Sequence, residues 1–405
     1  MTRVTILTRQ IGHYHDARYR GAAAYFDNVT VISTANQGAF PEFLAQDIGN
    51  YDVSPLYDSR AQYNQAVVQG SLGAALERAL FSATPDAIAI SGWSNPESMI
   101  AIGWGLKNRI PLIVQSESQA DDAKRFAFRE AIKRHIVSLC DAALVGGPTH
   151  ASYMASLGIP ANRIYLGYNA VDNQHFFNGA NIARSSAEKL RKQMALPNRY
   201  ILASARFIAK KNLVNLVEAY SDATKLVGSA PDLVILGEGD QKDAIIKAIA
   251  RSGVSKRVHL FGFKSYEVLP SFYGLSEGFV HVSSVEQWGL VINEAMAAGV
   301  PVVASDRCGA TRSLIEHNRS GLIVTPERNS IRDGLMQLFS LQPSARNEMG
   351  LSAQQTIEKW GPQQFGIGLK AAVDSAISAP YRSSPAIWDK ILLSYFQKKA
   401  IERVA

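Results

Sequence analysis

Alternating apolar and polar positions predict strands and helices that follow one another along the 405 residues of the chain. Short runs rich in β-branched residues predict strands in both halves. In the first half these runs are RVTILT (3–8), VTVIST (29–34), DAIAIS (86–91), PLIVQS (111–116) and DAALVGG (141–147). In the second half they are YILASA (200–205), DLVILG (232–237), RVHLFG (257–262), FVHVSS (279–284) and PVVAS (301–305).

The two series of strands predict two domains, separated by a polar stretch at 177–189. We place the N-terminal domain at 1–180 and the C-terminal domain at 190–375. The expected fold class is α/β, with two doubly wound, Rossmann-like domains facing one another across a cleft. A helical pattern near the C-terminus predicts that a helix at about 380–405 packs back on the first domain.

Composition is that of an ordinary soluble protein, with 47% hydrophobic and 19% charged residues. Two cysteines, Cys140 and Cys308, imply no disulfide framework and fit a reducing compartment. The N-terminal strand is too short for the apolar core of a signal peptide, and no apolar stretch is long enough to span a membrane. These features predict a cytoplasmic protein.

Charge is distributed unevenly, because residues 1–180 have a net charge of −1 and the rest of the chain has +8. A basic second half suits a phosphate-bearing ligand, and it would also suit nucleic acid or an anionic membrane. The sequence has no zinc-ligand spacing, no RNA-binding aromatic motif and no long basic tract. We therefore expect no nucleic-acid partner.

The segment VEQWGLVINEAMAAGVP (285–301) lies between two predicted strands. Gly289 is expected to open a short helix that ends near Ala298, so the free amides of Gly289, Leu290 and Val291 form a phosphate site. Glu294, inside this helix, can accept hydrogen bonds from a ribose diol. Glu286, in the preceding loop, can contact a sugar or stabilise developing positive charge. The alternative is that both glutamates are solvated residues near the helix end.

Two further turns lie at the same strand edge. Arg206 and Lys211 follow the strand at 200–205, where both cations can converge on one diphosphate, unless they are merely solvated on a loop. The Gly237-Glu238-Gly239 turn follows the next strand but lacks the third glycine of a dinucleotide fingerprint.

These motifs together resemble glycosyltransferase family 4. The resemblance rests on Arg206 with Lys211, GEGD (237–240), VHLFGF (258–263), and Glu286 and Glu294 followed by AMAAGVPVVAS. It runs from about Tyr200 to Trp360 and implies the GT-B architecture, with a nucleotide-sugar donor and a retaining mechanism.

The resemblance also implies residue roles. Arg206 and Lys211 would stabilise the diphosphate leaving group, so no divalent metal or other cofactor is expected. The donor-binding set is Arg206, Lys211, Gly237, Phe263, Glu286, Trp288, Gly289, Leu290, Val291 and Glu294. The sequence departs from the family pattern at Trp288, where Phe or Tyr is commoner, and in the loop at 306–316. It also departs in the first domain, where the loop RQIGHYHDARYR (9–20) is not rich in glycine.

Four residues of the first domain are candidates for the acceptor side. His13 and His15 follow the first strand, and Glu117 follows the strand at 111–116, where many relatives have a histidine. Glu117 can hold an acceptor hydroxyl or cap a helix starting near Asp121, and the histidines can equally be ordinary loop residues. Trp93 can form a platform for a sugar ring or pack in the core. The predicted catalytic set is Glu286, Arg206, Lys211, Glu117 and His13.

The segment 121–140 predicts an amphipathic helix. Its apolar stripe is Phe128, Ile132, Ile136 and Leu139, and a basic face adjoins it. Packing of the stripe in the core is one interpretation, and anchoring on anionic lipid is the other.

The function expected from the resemblance is transfer of a sugar from a nucleoside diphosphate sugar to a hydroxyl of a glycan or a lipid-linked saccharide. Biosynthesis of a bacterial surface polysaccharide, with the enzyme peripheral on the inner face of the membrane, is expected by analogy alone. The alternatives are a GT-B sugar phosphorylase or epimerase, and a non-catalytic protein that binds nucleotide sugars.

Overall fold

The computed structural model describes residues 2–36, 49–380, 387–389 and 392–395. They form two compact units. The first unit combines the chain up to Ala170 with the part that starts at Pro362, and the second runs from Val171 to Gly361.

The described residues of the first unit form a seven-stranded parallel sheet of order β3-β2-β1-β4-β5-β6-β7. Its strands are β1 (Arg3–Thr8), β2 (Asn28–Ser33), β3 (Asp52–Pro55), β4 (Ala87–Ser91), β5 (Leu112–Ser116), β6 (Ala142–Val145) and β7 (Ile164–Leu166). The strand order reverses between β1 and β4. In doubly wound sheets, ligands bind beyond the carboxyl ends of the strands at such a reversal.

Helices cover both faces of this sheet. They are α1 (His13–Ala23), α2 (Arg60–Gln69), α3 (Leu72–Ala83), α4 (Pro96–Asn108), α5 (Ala127–Val137), α6 (Pro148–Ser156) and, at the other end of the chain, α16 (Pro362–Ile377). The central strands are buried on both faces, which explains their continuous apolar sequences.

The second unit contains a six-stranded parallel sheet of order β10-β9-β8-β11-β12-β13. Its strands are β8 (Tyr200–Ser204), β9 (Asp232–Leu236), β10 (Val258–Gly262), β11 (Phe279–His281), β12 (Val302–Ser305) and β13 (Gly321–Val324). Here the order reverses between β8 and β11. The predicted α/β class with two doubly wound parallel sheets is confirmed.

The helices of the second unit surround its sheet. They are α7 (Asn173–Ser185), α8 (Ala187–Gln193), α9 (Leu213–Leu226), α10 (Lys242–Arg251), α11 (Leu269–Gly274), α12 (Leu290–Ala297), α13 (Gly309–Leu314), α14 (Arg328–Ser340) and α15 (Pro343–Glu358). An apolar core of strand residues and of side chains from α9, α10 and α14 lies on one face.

The division into units differs from the predicted boundaries of 180 and 375. The polar stretch at 177–189 is largely helical, because Phe176, Ala180 and Ala183 bury one stripe of α7 within the second unit. The side chain of Asp172 caps this helix by accepting a hydrogen bond from the amide of His175.

The second unit also ends earlier in the chain than predicted, at Gly361 instead of 375. Helix α16 packs on α1 and buries Phe365 and Leu369 in the first unit. Most of the helix predicted at about 380–405 lies outside the described residues. In the part that is described, Leu393 is buried in the core of the first unit. Oδ1 of Asp389 lies 2.8 Å from Nε2 of His135.

Candidate functional site

Two loops meet at the strand reversal of the second unit. The first follows β8 and contains Arg206 and Lys211, and the second follows β11 and contains Glu286. The side chain of Asn212, which has a left-handed backbone, donates to the carbonyl of Val282 at 3.1 Å and so ties the loops together. The reversal of strand order therefore places the predicted donor residues at one edge.

Lys211 and Glu286 form an ion pair across these loops. The side chains are only 11% and 12% exposed, so water screens the pair little. Burial alone would raise the pKa of the Glu286 carboxyl, but the hydrogen bond from His281 and the charge of Lys211 outweigh burial and lower that pKa. Glu286 is therefore an anion at neutral pH.

Arg206 has a different environment from Lys211. Its side chain is exposed, and no hydrogen-bond or ion-pair partner for its guanidinium is found among the described residues. Arg206 is thus available to an anion, whereas Lys211 is paired with Glu286. Convergence of both cations on one diphosphate remains a prediction.

The helix that follows Glu286 begins beside it. Gly289 caps α12 with a φ of 99°, a left-handed conformation that favours glycine. The first amides of a helix have no partner within the helix, so Leu290 and Val291 present donors at this end. The positive end of the α12 dipole lies here and suits a phosphate or carbonyl oxygen.

The side chains of Trp288 and Glu294 point into the second unit. Trp288 is 1% exposed, stacks on Trp360 at a ring distance of 5.7 Å, and donates from its indole nitrogen to Asn293. The Trp288 ring is thus enclosed in the second unit, and a donor contact of Trp288 stays a prediction. Glu294 is also 1% exposed, and the Tyr273 hydroxyl donates to it at 2.6 Å. Its contact with a ribose stays a prediction.

The turn after β9 passes close to the loop after β8. Gly237 has a φ of 129°, and a Cβ atom there would lie 1.9 Å from the carbonyl oxygen of Ala205. Only glycine fits this position without moving the backbone that leads to Arg206. Phe263, which follows β10, is 43% exposed, as a residue flanking a ligand should be.

The first-domain histidines lie on a helix, which corrects the predicted loop at 9–20. Helix α1 starts at His13, and Gly12 donates its backbone amide to Nδ1 of His15 at 3.4 Å. Burial and the nearby Arg18 charge lower the pKa of His15 to about 3, so its ring is neutral. An acceptor contact of His13 or His15 stays a prediction.

Glu117 accepts a hydrogen bond from Asn169 at 2.6 Å. The alternative in which it caps a helix near Asp121 is wrong, because α5 begins only at Ala127. Asn169 follows β7 and is completely buried, so it orients Glu117 at the carboxyl edge of the sheet.

Trp93 follows β4, where the strand order of the first unit reverses. It is partly buried against the apolar core, so one part of its ring packs and another part remains accessible. Sequence reasoning missed a charged group at the same edge of the sheet. Arg9 follows β1, and its Nε lies 3.3 Å from the buried carboxylate of Glu97. The Arg9 guanidinium also donates to the side chain of Asn95 at 2.8 Å. A charged residue directly after the first strand was the available signal.

The stripe predicted on 121–140 is buried only at its C-terminal end. Ile136 is 3% exposed, whereas Phe128 is 78% exposed, so the interpretation in which the whole stripe packs in the core is wrong at Phe128. Phe126, also exposed, lies under the guanidinium of Arg129 at 5.2 Å.

The residues that the structure describes contain no group of three or more His, Cys, Asp or Glu side chains placed to hold a metal ion. None of their helices is both long and apolar enough to cross a membrane. Transfer without a metal therefore stays a prediction.

Comparison with protein families identifies the domain that carries this site. Residues 186–356 match the family described as Glycosyl transferases group 1. An alpha-D-kanosaminyltransferase of Streptomyces kanamyceticus is 33% identical over 198 residues, which are 48% of this chain and 50% of the relative.

A second relative comes from Mycobacterium tuberculosis. The GDP-mannose-dependent alpha-(1-6)-phosphatidylinositol monomannoside mannosyltransferase of this organism is 32% identical over 144 residues, 34% of this chain and 37% of the relative. The chain thus spans half or less of the length of these two curated relatives.

Solved structures resemble the whole chain. The crystal structure of HepE from Anabaena in complex with UDP-glucose has a TM-score of 0.70 and 20% sequence identity to this chain. The match covers 93% of this chain and 100% of the HepE chain. At this identity the likeness concerns the fold alone. The chain has the GT-B fold, and its residues 186–356 match the model of the family described as Glycosyl transferases group 1.

Proposed function

We propose that the protein is a glycosyltransferase that moves a sugar from a nucleoside diphosphate sugar to a hydroxyl group. The observation that carries this proposal is the meeting of Arg206, the Lys211–Glu286 pair and the start of α12 at one strand reversal. Cations and a helix N-terminus suit a diphosphate, and an ionised carboxylate beside them suits a sugar.

The proposed chemistry needs charge stabilisation at two places. As the bond between sugar and diphosphate breaks, negative charge grows on the leaving phosphate, where Arg206 and the first amides of α12 stabilise it. Positive charge grows on the sugar ring, where the Glu286 carboxylate stabilises it or holds a hydroxyl. We propose that the transfer proceeds with retention and without a metal.

The donor role is tested by calorimetry with UDP, GDP and ADP, followed by turnover of the corresponding nucleotide sugars. Binding of a nucleotide with transfer to a glycan panel, or with slow hydrolysis, supports a transferase. Binding without any turnover supports the non-catalytic alternative. Dependence of turnover on inorganic phosphate supports a phosphorylase.

Arg206→Ala should weaken binding of the preferred nucleoside diphosphate by about 10- to 100-fold, since one charge-assisted contact contributes roughly 1.5–3 kcal/mol. Calorimetry measures the affinity, and thermal unfolding checks the fold. Arg319→Ala is a matched control because Arg319 is exposed and pairs with Glu316 away from these loops. Equal nucleotide affinity in wild type and Arg206→Ala would remove Arg206 from the donor site.

We propose that the acceptor binds at the carboxyl edge of the first sheet, near His13, Trp93 and Glu117. Replacing His13 by Ala and Glu117 by Gln should lower transfer by about tenfold or more, while donor affinity stays within about twofold. Glu77→Gln, on the exposed face of α3, is the control. Full transferase activity of the double variant would place the acceptor elsewhere.

A lipid-linked saccharide is the acceptor we propose, in surface polysaccharide synthesis, with the protein at the cytoplasmic face of a membrane. The exposed Phe126 and Phe128 beside Arg129 support this part, because aromatic and basic side chains favour an anionic lipid surface. The mycobacterial relative is named for a phosphatidylinositol acceptor. Co-sedimentation with vesicles of anionic phospholipid, compared with neutral vesicles, tests the location.

A further inference from the structure

Two buried polar side chains lie beneath the Glu286 carboxylate. His281 is the last residue of β11 and is 4% exposed, and Ser283 is completely buried. The Ser283 oxygen lies 3.1 Å from Nε2 of His281 and 3.3 Å from Oε2 of Glu286. Nε2 of His281 is itself 3.5 Å from this carboxylate oxygen. His281 and Ser283 therefore both converge on Oε2 of Glu286.

The positions of the protons follow from counting donors. Ionised Glu286 can only accept hydrogen bonds, and Ser283 has a single hydroxyl proton, which it donates to Glu286. The Ser283 oxygen must then accept from His281, so Nε2 of His281 carries a proton. Burial lowers the pKa of His281 below its ordinary value even though Glu286 opposes this shift, and the ring is neutral.

Charged groups surround this histidine on more than one side. Glu286 faces Nε2, while Lys210 and Lys211 approach from the loop after β8 and disfavour a second positive charge. Cys308 lies next to Glu286, and burial, the larger influence, together with the Glu286 charge raises the pKa of its thiol. Cys308 is thus a neutral neighbour, and His281 is the neutral donor that faces Glu286.

We infer that His281 is a positioning residue, which holds Glu286 in its functional orientation directly and through Ser283. A Cβ atom at Gly289 would lie 3.7 Å from the His281 ring and 3.4 Å from Cγ of Glu286, so the ring packs beneath both the carboxylate and the start of α12. An aliphatic side chain could fill this position without the cost of burying an imidazole. The inference rests on the proposed function, in which Glu286 faces the donor sugar.

The first test separates positioning from nucleotide binding. His281→Leu removes the donor, whereas His281→Gln retains a donor near the position of Nε2. We expect kcat to fall about tenfold or more in His281→Leu and to recover largely in His281→Gln, with nucleoside diphosphate affinity within about twofold for both. His259→Leu is the matched control, since His259 pairs with Asp232 on another strand. Equal kcat in wild type and His281→Leu would overturn the inference.

The pH profile supplies a readout that a merely structural role would not move. Loss of the His281 donor should raise the pKa of Glu286 towards its ordinary value of 4.5, so the acid limb of kcat/KM should shift to higher pH. An unshifted acid limb in His281→Leu would contradict the inference.

The proton assignment is testable even if no nucleotide sugar is turned over by the wild type, an outcome that would remove the proposed function. Nitrogen NMR of ¹⁵N-histidine-labelled protein should show His281 protonated at Nε2, with its signal changed by Glu286→Gln. A ring protonated only at Nδ1 would overturn the inference irrespective of activity.

Discussion

Glu286→Gln should lower turnover of the nucleotide sugar by about 100- to 1,000-fold while the affinity for the free nucleoside diphosphate changes by less than about twofold. Glutamine keeps the size of the side chain and removes the charge that Lys211 and Ser283 hold in place. The charge matters most when the sugar becomes positive, so kcat should fall more than substrate affinity. Initial rates and calorimetry with the same preparation measure both quantities.

Glu294→Gln is the comparison for this prediction. Glu294 is buried beside Tyr273, and its proposed partner is the ribose, which is present with or without the sugar. We therefore expect Glu294→Gln to weaken nucleotide binding chiefly. If Glu286→Gln weakens the nucleotide and Glu294→Gln only lowers turnover, the two roles are reversed.

Lys211→Met should lower the free energy of unfolding by about 3–5 kcal/mol, because it leaves the enclosed Glu286 carboxylate without its cation. Denaturant titration measures this loss. Adding Glu286→Gln to Lys211→Met should restore much of the stability, since the uncompensated charge is then gone. Lys242→Met is the matched control: the Lys242 and Glu238 side chains are 47% and 48% exposed, and loss of that pair should cost less than about 1 kcal/mol.

The contribution of the Lys211–Glu286 pair to the free energy of unfolding should depend on pH in a definite direction. The folded-state pKa of Glu286 is below its ordinary value of 4.5, so its pair contributes fully above that pH and loses its contribution as the pH falls towards the folded-state pKa. Lys211→Met raises the folded-state pKa and should reduce this acid dependence. A variant as stable as wild type, with the same acid dependence, would show that the pair does not stabilise the fold.

The sequence predicted well the central strands of the first sheet, which are buried on both faces. β4, β5 and β6 have continuous apolar runs, and their predicted and observed bounds agree within two residues. β3, β7 and β13 were missed because each has only three or four residues, and DVSP in β3 is also polar. Such short strands contain too few positions to show a period of two.

Helix α1, which follows β1 at the carboxyl edge of the first sheet, shows why a hydrophobic pattern does not predict every helix. Its buried residues include Asp16 and Arg18, so no apolar stripe marks it as a helix. Arg18 is satisfied by the carbonyls of Tyr14 and Tyr168, and the second lies 150 residues away. A pattern that counts apolar residues cannot find a helix whose buried face is polar.

The candidate site was only partly predictable, because local sequence does not specify which strands are neighbours in the sheet. The place of Glu286 beyond a strand and before a helix follows from local sequence, and the structure agrees. Its pairing with Lys211 joins positions 75 residues apart and depends on the strand order β8-β11, which local sequence does not specify. His281 and Ser283 were visible in FVHVSS, but strand periodicity alone gives them no role.

The return of the chain at Pro362 makes the second unit an insertion within the first. Helix α16 packs over β4, β5, β6 and β7 and shares an apolar core with Ile113 and Leu144. During synthesis these side chains lack that cover until residues 362–377 have left the ribosome, whereas the second unit is already complete at Gly361. The order of translation thus favours early folding of the inserted unit, and it leaves the first unit exposed to aggregation or chaperone binding until α16 emerges.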